Sequence, residues 1–73
     1  MPAVIYTKPN CPYCAAALAD FRERGEDFVV KDATSDPFYK RELMRFSKKT
    51  GMVPTIVRDG GAAVQVGFPP GSG

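Results

Sequence analysis

Cys11-Pro12-Tyr13-Cys14 lies at a seam between two kinds of local pattern, and that seam constrains the chain more than any other feature. The run before it, Ala3-Val4-Ile5-Tyr6-Thr7, is β-branched and aromatic and reads as a strand. The run after it, Ala15-Ala16-Ala17-Leu18-Ala19-Asp20-Phe21, reads as a helix, with Pro12 suited to its first position. Asp27-Phe28-Val29-Val30-Lys31 then reads as a second strand. Strand, helix, strand makes a βαβ unit with parallel strands and a right-handed crossover. The C-x-x-C loop thus falls at the C-terminal end of the first strand, the edge where open α/β sheets place their chemistry.

The remaining elements follow from local signals. The first helix spans 12–24, and Gly25 after Arg22-Glu23-Arg24 stops it. Ala15, Leu18 and Phe21, with Ala19 alongside, mark its expected buried face. Asp36 is the expected N-cap of a second helix, with Pro37 in its first turn. That helix is expected to run to about Thr50 and end at Gly51, with Tyr39, Leu43 and Phe46 as its apolar stripe. Thr55-Ile56-Val57-Arg58 and Ala62-Ala63-Val64-Gln65-Val66 flank Asp59-Gly60-Gly61, a hairpin signal. The fold class is α/β, in the order βαβαββ, with a four-stranded mixed sheet and helices packed on it. Residues 1–70 read as one domain and 71–73 as a tail; Phe68 onward reads as loop.

The two cysteines are the only ones in the chain. At a helix N-terminus, unpaired N–H groups and a partial positive charge favour thiolate over thiol. Cys11 is therefore expected to be the attacking nucleophile, assisted by Lys8. Cys14, one turn inside, is expected to be the resolving thiol, more buried and less acidic. With no His in the chain, no imidazole can activate a thiol. A structural disulfide closing so short a loop would contribute only about 2 kcal/mol. A structural zinc site needs about four ligands, which two Cys and no His cannot supply in one monomer. No resident metal or tightly bound cofactor is expected.

Bulk properties narrow the function. Seventy-three residues make one small domain, and 44% hydrophobic content suits a globular fold. A net charge of +2 does not call for a nucleic-acid or membrane partner. No apolar run approaches the roughly 18 residues of a membrane span, and no secretory signal is visible. A cytoplasmic monomer is the expectation, in a compartment where a disulfide is catalytic rather than structural. Tyr13, at the loop tip, reads as an aromatic wall for substrate or, alternatively, as core. Lys40, Arg41, Arg45, Lys48 and Lys49 read first as a solvated basic helix face, with one or two available to an anionic substrate. Val53-Pro54 reads as a proline opening a strand, trans on the residues alone.

Ile5-Tyr6-Thr7-Lys8-Pro9-Asn10-Cys11-Pro12-Tyr13-Cys14 closely resembles the active-site segment of dithiol glutaredoxins, and Val53-Pro54 resembles that family's cis-proline segment. The likeness covers about residues 3 to 67. It implies a thioredoxin-like fold with sheet order second, first, third, fourth. It implies glutathione-linked reduction of protein disulfides and glutathionylated proteins, with Lys8, Tyr13, Val53, Pro54 and Gly67 at the glutathione site. Three departures stand out. Met52 replaces the usual threonine before Val-Pro. Val66-Gly67-Phe68-Pro69-Pro70 lacks the Asp that follows the family's Gly-Gly pair, and the family's last helix has no counterpart before Gly73. Gly67-Phe68-Pro69 is similar instead to redoxins that draw electrons from thioredoxin reductase and serve ribonucleotide reductase. A third possibility, a metal or iron–sulfur carrier using Cys11 from two subunits, is disfavoured by the stiffening effect of Pro12.

Overall fold

In the computed structural model, which describes residues 1–73, the chain runs β1 (Ala3–Thr7), α1 (Pro12–Arg24), β2 (Phe28–Asp32), α2 (Pro37–Phe46), β3 (Thr55–Arg58) and β4 (Ala63–Val66). The strands form one sheet in the order β2-β1-β3-β4. β1 and β2 are parallel, from Ala3 opposite Phe28 to Thr7 opposite Asp32. β3 runs antiparallel to both β1 and β4. The arrangement is the four-stranded mixed sheet that the residues predict, in the thioredoxin-like strand order that the family resemblance implies.

The helices begin and end for local reasons. Cys11 caps α1 with extended backbone, and its sulfur accepts the Cys14 N–H at 3.2 Å. Gly25 closes α1 at φ 68°, a left-handed conformation that costs glycine little, and its N–H returns to Arg22 O at 3.1 Å. Asp36 caps α2 by accepting the Phe38 N–H at 2.8 Å, with Pro37 next, as predicted.

Alternation along β1 divides the core between the two faces of the sheet. Ala3 and Ile5 join Ala17, Phe21 and Ile56 on the α1 side. Tyr6 joins Leu43, Val53, Val57, Ala33 and both cysteines on the α2 side. Phe21 is fully buried. Its ring meets Phe28 edge-on at 5.8 Å, with the guanidinium groups of Arg24 and Arg58 over it at 4.7 and 5.0 Å. Tyr6 ties β1 to α2: its hydroxyl donates to Glu42 Oε1 at 2.6 Å, and Lys31 Nζ donates to the same oxygen at 2.9 Å. Burial, and then the Glu42 carboxylate, hold the Tyr6 hydroxyl well above the usual phenol range.

Four details differ from the sequence reading. The buried face of α1 is Cys14, Ala17 and Phe21, while Ala15 and Ala19 are exposed. Three successive alanines left the helical phase ambiguous, and contact with β1 and β3 decides it. Helix α2 ends at Phe46 rather than near Thr50. Lys48 and Lys49 adopt φ 56° and 67°, which no α-helix tolerates, and the buried Ser47 hydroxyl accepts the Gly51 N–H at 2.9 Å to hold the turn. β4 begins at Ala63, because Ala62 still belongs to the hairpin turn through its N–H bond to Asp59 O at 3.2 Å. Phe68 is not free loop; it packs against the α1-side core. The chain after it doubles back, with Gly71 N–H on Val66 O and Phe68 N–H on Ser72 O, both at 2.8 Å.

Candidate active site

The dithiol site is assembled where three segments converge: the end of β1, the start of α1 and the loop before β3. Asn10, at φ 58°, turns the chain from Lys8-Pro9 into the helix, a conformation Asn tolerates better than most residues. Cys11 is thereby placed at the N-cap. Its sulfur accepts a helix N–H and lies 4.0 Å from the Val53 carbonyl oxygen. Both thiols are free and buried, Cys11 at 8% exposure and Cys14 at 3%.

Cys14 differs from an ordinary thiol. Burial, with a smaller contribution from hydrogen bonding to Cys11, pushes its pKa up from 9.0 to about 12. The Lys8 backbone N–H and the Lys8 charge oppose that shift without cancelling it. Cys14 is the more deeply buried of the two thiols.

The loop carrying Val53 is held from both sides. Thr55, fully buried, donates its hydroxyl to Met52 O at 2.7 Å. Gly67 donates its N–H to Pro54 O at 2.8 Å. The Val53–Pro54 bond is cis, in accord with the family resemblance and against the reading of the residues alone. A second cis bond, Phe68–Pro69, was not anticipated.

Two cavities flank the dithiol, and Lys8 lines both. One, of about 510 Å³, runs along Thr7, Asn10, Cys11, Cys14 and Leu18. The other, of about 530 Å³, is bounded by Ala33, Pro37, Lys40, Leu43, Gly51 and Val53. No acidic residue lines the second cavity, and Lys8 and Lys40 give it two cations. The structure thus brings Lys8, Cys11, Cys14 and Val53 together. It brings Lys40 with them, which the sequence left among five undistinguished basic residues.

Two other expected contacts stand apart. Tyr13 is 45% exposed at the tip and lines neither cavity. Gly67 is buried behind Pro54 rather than in the cavity; its φ of 88° and the backbone of Gly71 and Ser72 close over it exclude any side chain. No three Cys, Asp or Glu side chains converge in a metal-ligand cluster. No helix is long and apolar enough to cross a membrane.

A thioredoxin-like sheet carrying a C-x-x-C dithiol at the N-terminus of its first helix defines a thiol–disulfide oxidoreductase. The family model for glutaredoxin matches residues 3–62. A solved structure, the glutaredoxin from Brucella melitensis, is similar at a TM-score of 0.69 and 33% identity, over 92% of this chain and 70% of that one. None of the curated proteins matches it. The chain belongs to the glutaredoxin family.

Proposed function

We propose that the protein reduces protein disulfides and glutathione mixed disulfides through a Cys11/Cys14 dithiol, with glutathione as co-substrate rather than as a bound cofactor. The observation that carries this reading is the asymmetry of the two thiols. Cys11 Sγ accepts a helix N–H at the N-cap, where negative charge is favoured, while Cys14 is more deeply buried and harder to ionise.

The chemistry runs in two displacements. The Cys11 thiolate attacks one sulfur of the substrate disulfide; that S–S bond breaks, a Cys11–substrate disulfide forms, and the departing thiolate takes a proton. Cys14 then loses its proton and attacks Cys11 Sγ. The substrate leaves as a thiol, and the Cys11–Cys14 disulfide holds the two-electron oxidation. The Cys14 N–H that reaches Cys11 Sγ is placed to stabilise the charge that develops there when Cys11 is the leaving group as the pair is reset. Formation of the mixed disulfide removes the free Cys11 thiol, a secondary cause of the raised Cys14 pKa, and so eases the second displacement.

Glutathione carries two carboxylates and one ammonium group. The 530 Å³ cavity beside Val53 presents Lys8 and Lys40 and no carboxylate, which supports capture of the acidic end and leaves the ammonium end without a partner. An exposed ion pair of that kind contributes about 0.2–1 kcal/mol. Glutathione-dependent turnover is therefore expected to be measurable but low. The same gap favours the second reading, a redoxin reset by thioredoxin reductase and donating to ribonucleotide reductase.

The test is steady-state reduction of a mixed disulfide with glutathione and, separately, with thioredoxin reductase and its electron donor. Slow turnover with glutathione is expected. Pro70→Asp, at an exposed position after Gly67, should lower the glutathione KM, and Lys40→Ala should raise it. Glutathione turnover at the level of the reductase-fed reaction would refute the role assigned to the missing carboxylate. No turnover with either donor would refute the proposed activity.

A further inference from the structure

Away from the dithiol, a third groove of about 630 Å³ runs between the end of α2 and β4. Its floor is Phe46, Val64 and Val66, and Arg45, Lys48 and Thr50 form its other wall. No acidic residue lines it, and neither Arg45 nor Lys48 has an acidic partner within 4 Å. Asp59, the acid nearest along the hairpin, lies in the turn outside the lining.

β4 is also an edge strand, paired only with β3. The Gly67 N–H bond to Pro54 O marks 54/67 as a bonded pair of the antiparallel ladder. With Thr55 opposite Val66 and Val57 opposite Val64, alternation makes 56/65 and 58/63 the next bonded pairs. Val64 N–H, Val64 C=O and Val66 N–H therefore point away from the sheet. The Val66 carbonyl is the one outward group already engaged, by Gly71 N–H at 2.8 Å. Sheet edges are usually blunted by charge, proline or a covering segment. Ala63-Val64-Gln65-Val66 has no charge or proline, and Val64 is 40% exposed.

We infer that the outer edge of β4, with the Arg45/Lys48 groove beside it, is a docking surface for an acidic, extended segment of a protein substrate, which adds to the sheet as a fifth strand. The free Val64 backbone groups supply register, the Phe46–Val64–Val66 floor takes an apolar side chain, and the two cations select an acidic side chain two positions away, on the same face of the added strand. A second copy of this chain is the poorer occupant, since pairing β4 with β4 would bring the uncompensated Arg45 and Lys48 of both copies to one interface. The groove approaches the dithiol at its upper end. Val66 lies opposite Thr55, two residues from Val53, and Thr50 of this groove adjoins Gly51 of the Lys8–Lys40 cavity. A segment held here can present a neighbouring disulfide to Cys11, a use that rests on the disulfide-reductase reading above.

The probe is a fluorescein-labelled peptide of Thr-Glu-Thr-Val repeats, which sets Glu and Val on one face of a strand, without cysteine, titrated with the Cys11→Ser protein so that binding is read apart from redox chemistry. Saturable binding is expected, weakened by added salt and at least fivefold weaker for Arg45→Glu/Lys48→Glu. Arg22→Glu, on α1, should bind as the parent does. Amide NMR shifts should move at 45–50 and 63–66, and a Lys/Val peptide should not bind. Equal affinity for the charge-reversed protein, shifts confined to residues around Lys8 and Lys40, or peptide-free shifts at 63–66 that grow with protein concentration would each overturn the inference. In the Cys11-containing protein, charge reversal should slow reduction of a disulfide flanked by the Glu/Val segment several-fold and spare a small uncharged disulfide. Loss of both activities would count against the reductase reading, whereas equal retention of both would count against docking.

Discussion

Alkylation of Cys14 offers a quantitative check on the asymmetry of the dithiol. Raising a thiol pKa from 9.0 to about 12 cuts its thiolate fraction at neutral pH roughly a thousandfold. A more basic thiolate is intrinsically more nucleophilic, and a Brønsted slope of about 0.4–0.5 returns roughly twentyfold of that loss. The net expectation is alkylation about fifty times slower than for an ordinary exposed thiol, before any steric penalty from 3% exposure. Iodoacetamide labelling of the fully reduced protein, resolved by mass spectrometry at each cysteine from pH 6 to 11, reads this directly. Cys11 should label first throughout. The Cys14 rate should climb about tenfold per pH unit through pH 10 without levelling. In Cys11→Ser the rate should rise only modestly, since burial is the larger cause and remains. A Cys14 rate that levels below pH 9, or that matches a free thiol, would refute the reasoning.

Two further outcomes concern the scaffold. Phe21→Ala removes a ring with 0% exposure that joins α1 to β1 and β3 and should cost about 3–5 kcal/mol, measured by urea unfolding; a loss under 1 kcal/mol would contradict its central place in the α1-side core. Stability should fall on acidification. Arg58 holds the Glu26 carboxyl low, Thr34 that of Asp32, and Tyr6 with Lys31 that of Glu42. The unfolded chain therefore binds more protons than the folded one below about pH 5, so this stabilisation is complete above that pH and lost as pH drops through the folded values. Thermal unfolding between pH 6 and 3 checks the sign, and a flat or rising Tm would oppose it.

Much of the fold is legible because its punctuation is local. Pro12, Gly25, Asp36 and Pro37 mark helix ends by their own backbone chemistry, and the structure uses each as expected. The errors arise where distant contacts decide. Nothing in Ser47-Lys48-Lys49 forbids a helix; the turn there depends on a buried serine hydroxyl reaching Gly51. Likewise the phase of α1 depends on which alanine meets the sheet. At the site, the dithiol and Lys8 are contiguous in sequence and easily read. Lys40 is not, because the cavity it lines is built from four separate stretches of chain. Phe68 looks like tail in sequence because the core cluster it packs against draws its members, Ile5, Ala17 and Ile56 among them, from three other elements.

The central claim is that Cys11 receives the substrate sulfur and Cys14 releases it. Each single variant, Cys11→Ser and Cys14→Ser, should be incubated with glutathione disulfide at neutral pH, and the adduct mapped by mass spectrometry. Cys14→Ser should accumulate one glutathione on Cys11, stable until an external thiol is added, while Cys11→Ser remains essentially unmodified. Glutathione on Cys14 of the Cys11→Ser protein at a comparable rate would contradict the account.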